Sequence, residues 1–210
     1  MKTEDMIESL SLDLKPTNVV KFSFFDIAKV LLAGMLSLIA AVAILGFRVD
    51  LSEQLLTARF IVESVWLLVL ALVSIYSALR LSVPDLDNRK FYKWPVFAFS
   101  IVGLSTAYSF MSYSNPFLYL GHGFVCVYEI LLIGVFPASV LFYFIRRAAA
   151  LKRDIVGALV LMAGAALGWL GTQLTCADST PLHHLFWHFL PFIFLSLTGI
   201  YISNKILRKI

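Results

Sequence analysis

Apolar positions in this chain come in long blocks. Ile27–Phe47, Ile61–Ser82, Trp94–Tyr113, Val125–Ile145, Asp154–Leu174 and Leu185–Lys205 are each almost wholly apolar, with short polar stretches between them. Each block is close to the ~20 residues that carry a helix across about 30 Å of hydrocarbon. Inside a bilayer such a run must bond its own backbone, and a helix does so within the segment. The pattern predicts an all-α fold: a polytopic membrane bundle of six transmembrane helices over residues 27–205, with a tail at 1–26 and a basic C-terminus at 206–210. No stretch outside the blocks is long enough to fold around a core of its own.

Amphipathic spacing is confined to the tail. Ile7, Leu10 and Leu14 recur at i, i+3 and i+7, Glu4, Asp5 and Glu8 crowd the first turns, and Pro16 stops the pattern. Acids near a helix N-terminus are favoured by the helix dipole, and proline cannot continue a helix. A short amphipathic helix is expected here. A signal peptide is not, because the leading residues are acidic and no small-residue cleavage site follows. Helices that lie on lipid usually carry lysine and arginine on the polar face. This one carries Glu4, Asp5, Glu8 and Asp13, which favours a peptide that folds on a protein partner over one lying on lipid or staying disordered.

Composition confirms the class and charge orients it. The chain is 60% hydrophobic and 14% charged, where soluble chains run at about 45–50% and about 25%, and its mean hydropathy is +0.87. The tail, the loops after the second and fourth spans and the C-terminus share 15 of the 17 lysines and arginines; the other side has only Arg48 and Arg59. The positive side is expected in the cytoplasm, with both termini inside. The net charge of +4 then records topology and attraction to anionic lipid, and carries no argument for nucleic-acid binding.

Span centres are nearly free of ionisable groups, so chemistry is expected at the faces. Glu63, near the outer end of the second span, has Arg59 one turn earlier and is expected to pair with it. Pro137 predicts a kink in the fourth span, because the carbonyl it frees one turn earlier cannot be bonded. The fifth span holds Gly157, Gly164, Gly168 and Gly171. Gly164-x3-Gly168 is a small-xxx-small pair of the kind that lets membrane helices approach closely, so this span is expected at the centre.

The densest chemistry is Cys176-Ala-Asp-Ser-Thr-Pro-Leu-His-His-Leu-Phe-Trp-His188, which holds one of two cysteines and three of four histidines. His184 and His188, spaced i, i+4, share a helix face if the helix has begun there. The topology sets Cys126, Glu129, Cys176, Asp178, His183, His184 and His188 at one outer surface, with His122 and Glu63 within reach. Three chemistries fit: a Cys126–Cys176 disulfide, a site for a thiophilic metal ion such as zinc drawing on His183, His184, His188 and Glu129, or a switchable thiol pair.

Cys176, Pro181, His183, His184, Leu185, Trp187 and His188 together resemble the signature of the NrsF-type membrane anti-sigma factors. The tail residues Lys2, Thr3, Asp5, Ile7, Leu10, Asp13, Leu14 and Pro16 are similar to that family's opening pattern, and Cys126 and the pair Arg146-Arg147 also match. One departure is Ala148-Ala149-Ala150, where the family pattern leads us to expect a proline. The resemblance implies a multi-pass protein of a bacterial inner membrane that is not an enzyme. It implies an extracytoplasmic-function sigma factor held at the cytoplasmic face and released when the outer pair Cys126 and Cys176 senses metal or oxidative stress. On that implication Ile7, Leu10 and Leu14 fill an apolar groove of the sigma factor, while Asp5 and Asp13 meet its basic residues. The alternative is a membrane metal- or haem-binding redox protein built on the Cys/His cluster. A transporter would need polar or broken mid-membrane helices, which the spans lack.

Overall fold

Among the described residues all regular structure is helical. The computed structural model describes residues 20–83, 90–112, 123–148, 150 and 152–206. The expected tail helix with Asp5, Ile7, Leu10, Asp13 and Leu14, residues 84–89, Ala149 and His122 lie outside those residues. The elements are α1 (Phe24–Leu45), the single turn α2 (Leu51–Gln54), α3 (Ala58–Leu81), α4 (Lys93–Met111), α5 (Phe124–Ile145), α6 (Arg153–Thr175), and a last helix in three parts. Those parts are α7 (Pro181–His183), a π-helical stretch His184–Phe189, and α8 (Leu190–Ile206). Six helices are long and apolar enough to cross a membrane, one for each block of the sequence pattern.

Local chemistry sets the ends. The Ser23 N–H donates to Asp26 Oδ2 at 2.8 Å, one half of a capping box that satisfies a donor no helical carbonyl can reach. Gly46, at φ +82°, turns the chain out of α1. Pro181 occupies the first turn of α7, where its missing N–H costs nothing. The last helix thus begins four residues earlier than the apolar block at Leu185, and His183 and His184 lie inside it.

The fifth span, α6, is the centre, as its glycines led us to expect. Of its apolar window 72% is buried, against 22–44% in the other spans. A Cβ on Gly134 of α5 would collide with the Gly164 carbonyl of α6, one on Gly168 with the Ile130 carbonyl, and one on Gly157 with the Gly199 carbonyl of α8. Backbone lies on backbone at these crossings, the close approach that replaces hydrophobic driving force between membrane helices. Around them Trp169, Phe192, Leu67, Leu70 and Val102 form one buried cluster, and Ile75, Leu141, Val156 and Val160 another.

Contrary to expectation, the carbonyl freed by Pro137 is bonded. α5 is assigned as a single helix through Pro137, and the carbonyl that the proline deprives, Ile133 O, has a donor. Ser37 Oγ of α1 lies 2.9 Å from it and 2.8 Å from the carbonyl of Ala33, so one proton bridges the two helices. A neighbouring serine is one of the few ways to satisfy such a carbonyl inside a membrane.

These contacts predict an asymmetry between glycines. Gly164→Leu should lower the thermal midpoint in detergent micelles by the equivalent of at least about 2 kcal/mol, the range of overpacking. Gly103→Ala should have little effect, since its Cβ would meet only Phe189 Cζ at 3.4 Å.

Candidate functional site

α6 ends at Thr175 and leaves Cys176 at its C-cap, with the Cys176 N–H on the Thr172 carbonyl at 2.8 Å. Cys126 stands in the first turn of the neighbouring α5. Both cysteines are free and buried, with sulfurs 3.2 Å apart. His183 Nε2 lies 3.4 Å from Cys126 Sγ and 3.3 Å from Cys176 Sγ. Its other nitrogen, Nδ1, is at ion-pair distance, 3.2 Å, from Asp178 Oδ2. His188 is 1% exposed and completes the group: one donor atom from each of Cys126, Cys176, His183 and His188 lies within 4.8 Å of the others.

The π-helical turn makes this possible. At 3.6 residues per turn, residues five apart point about 140° away from each other. Hydrogen bonding i→i+5 widens the turn and brings residues five apart nearly over one another. His183 and His188 are five apart, and their rings sit 5.2 Å apart by centroid. The indole of Trp187, in the same turn, occupies the space a side chain at Gly123 would need and packs on Phe124 at 4.7 Å. That contact holds the turn against the start of α5.

The family model for NrsF, negative regulator of sigma F, matches residues 10–208. The chain belongs to this family. No curated protein and no solved structure matches it. The NrsF match takes in all six long helices and the residues of the Cys/His end.

The other residues expected at this end divide. His184 and His188 do share a side, their rings stacked at 4.8 Å and 19°. Only His188 joins the sulfurs, while His184 Nδ1 faces Glu63 Oε1 at 3.2 Å. This corrects the expected Glu63–Arg59 pair: Arg59 Nη1 donates to the Ser179 carbonyl at 3.1 Å. Glu129 is buried but turned aside, accepting from Thr175 Oγ1 at 2.5 Å. The stacked rings of His184 and His188 also leave no gap for a haem plane between them.

In the sequence Arg48 is no more than a marker of topology. Here it is 5% exposed and fastens the loop that carries Cys176. Its Nε and Nη2 donate to the two oxygens of Asp50 at 2.7 and 2.9 Å, and Nη2 also reaches Ser179 Oγ at 2.8 Å and Ala177 O at 3.2 Å. The Arg48 N–H donates to Leu174 O at 2.9 Å. An arginine two residues before an aspartate, on a face otherwise nearly free of cations, was the available signal. The hydrogen bonds from Arg48 hold the Asp50 carboxyl down to about 2. A hydrogen bond from Cys126 holds the Cys176 thiol well below its usual range against the opposing effect of burial, with His183 adding to the shift.

Two outcomes follow for this clasp. Arg48→Gln should make Cys176 react several-fold faster with a maleimide in micelles, because the loop over it loses its ties. In the native protein, the contribution of a depressed carboxyl is present above its unfolded value and lost as pH falls through the folded one. The clasp should therefore stay closed until pH approaches about 2, as read by a fluorophore placed at Ala177.

Proposed function

We propose that this protein is a membrane-anchored anti-sigma factor of a bacterial inner membrane. It holds an extracytoplasmic-function sigma factor at the cytoplasmic face and releases it when Cys126 and Cys176 react at the opposite face. It acts by binding and not by catalysis. The observation that carries the reading is the family match across residues 10–208, whose name is that of a negative regulator of a sigma factor. The positive-inside bias supports the orientation: the clasp on Arg48 and the Cys/His cluster share the face poor in lysine and arginine.

The acidic tail is the sigma-binding element in this reading. Ile7, Leu10 and Leu14 supply an apolar stripe, and Asp5 and Asp13 supply charge that a basic surface would meet. A stable interface buries roughly 800 Å² per partner, more than a dozen residues cover comfortably, so the cytoplasmic loops contribute as well. The reading also needs a route between the faces. Cys176 sits on the loop tied by Arg48, Arg48 lies three residues past the end of α1, α1 meets α5 through Ser37 and Ile133, and α1 leads back to the tail. A change at the thiols thus has a continuous packed path, which a two-state shift of α1 would turn into release.

A peptide of Met1–Asp26 should recover a sigma factor from lysate of the source cell, and Ile7→Asp with Leu10→Asp should abolish recovery. Full-length protein with Cys126→Ser and Cys176→Ser should still bind but no longer release on treatment with metal or oxidant. Failure of both peptide and full-length protein to bind any sigma factor would overturn the reading.

A further inference from the structure

A buried thiol pair can respond by forming a disulfide or by taking up a soft cation, and the surroundings of the sulfurs distinguish the two. A disulfide needs only the cysteines. Here two imidazoles are also brought to them, one by an irregular turn of helix. π-turns inside helices are uncommon and concentrate at functional sites.

The donor set approaches the dimensions of a tetrahedral centre. Zinc–sulfur bonds of about 2.3 Å and zinc–nitrogen bonds of about 2.0–2.1 Å imply ligand–ligand separations of roughly 3.3–3.8 Å. The two sulfur–nitrogen edges from His183 Nε2 to Cys126 Sγ and Cys176 Sγ, 3.4 and 3.3 Å, fall in that range; the sulfurs, 3.2 Å apart, would part by about half an ångström on binding, and the fourth donor lies within 4.8 Å of them all.

The ring nitrogens are set for ligation. Thr172 Oγ1 donates its proton to Trp169 O at 2.8 Å, so toward His188 Nδ1, 3.5 Å away, it can only accept. That places the proton on Nδ1 and leaves a lone pair on Nε2. His188 Nε2 is fully buried and has no hydrogen-bond partner, a costly arrangement for a polar atom unless something occupies it. Asp178 stands behind His183 Nδ1 at 3.2 Å, the carboxylate–histidine support common at metal ligands. Trp169 packs edge-on to His188 at 5.9 Å and fixes its plane. Two thiolates neutralise a divalent cation, so the loaded centre carries no net charge into a buried site.

We propose that Cys126, Cys176, His183 and His188 form a four-ligand site for a divalent thiophilic cation of tetrahedral preference, the chemistry of Zn2+. It rests on reading this end as the signal-receiving face and names the ligand. Binding displaces the remaining thiol protons to solvent and draws the His188 ring onto the sulfurs, which joins the π-turn, the start of α5 and the end of α6. Glu129 and His184, engaged with Thr175 and Glu63, stay outside the coordination sphere.

The test uses the reduced full-length protein in detergent micelles with Co2+ as a spectroscopic probe and Zn2+ as competitor. One equivalent of Co2+ should give tetrahedral ligand-field bands with thiolate-to-cobalt charge transfer, both removed by Zn2+. His188→Ala should weaken binding by at least about tenfold, and Cys126→Ser should diminish the charge transfer. Glu129→Gln should leave affinity unchanged. His188→Cys should restore tight binding with stronger charge transfer, which separates a ligand from a merely structural histidine. Absence of the tetrahedral spectrum in the reduced native protein, or native affinity in His188→Ala, would overturn the site. Sigma-factor release is followed in the same samples. Binding at the four residues without release would leave the site standing and remove the signalling reading. Release by peroxide from a protein that binds no Co2+ would do the reverse.

Discussion

The contact on which the arrangement depends is the backbone-to-backbone crossing of α5 and α6 at Gly134, Gly164 and Gly168. Lipid offers no hydrophobic reward for bringing two apolar helices together, so the attraction has to come from close packing. Removing side chains at three positions lets the carbonyls of one helix rest on the Cα atoms of the other. That crossing fixes the distance between the helices a short way below the Cys/His end. Because of it, a cysteine in the first turn of α5 and one at the C-cap of α6 meet with sulfurs 3.2 Å apart.

A second constraint acts on the last helix. A regular α-helix from Pro181 could direct His184 and His188 to one side, or His183 and Trp187, but not His183 and His188. The π-turn changes the pairing. It costs some hydrogen-bond quality and is held by what it packs on: Trp187 over Gly123 and Phe124, Phe189 against Phe99 and Trp169. The irregularity is thus stabilised from outside the site and expressed inside it.

Charged groups at this end are paired. The buried charged groups are engaged with partners elsewhere in the chain: Glu63 with His184, Glu129 with Thr175, Arg48 with Asp50 and the Ser179 loop. In a low-dielectric surrounding an unpaired charge would be expensive, so these pairs also tie helices together. His188 Nε2 is among the buried atoms left without a hydrogen-bond partner, and His188 stands in the group with the two sulfurs.

Sequence alone determined the six helices, the central place of the glycine-rich span and the gathering of cysteines and histidines at one end. The physical reason is that membrane crossing depends on local quantities: run length, hydropathy and the spacing of small residues. The tail's amphipathic spacing belongs to the same class. Tertiary structure decided which of the clustered residues act together. His183 and His188 join the sulfurs, while His184 turns to Glu63 and Glu129 to Thr175, because helical phase at a π-turn is set by packing and not by the hydrophobic pattern. Arg48 as a clasp and Ser37 as the donor for Ile133 were equally beyond local reading. Each pairs residues about a hundred positions apart or more, and only the crossing of the helices brings such partners within hydrogen-bond distance.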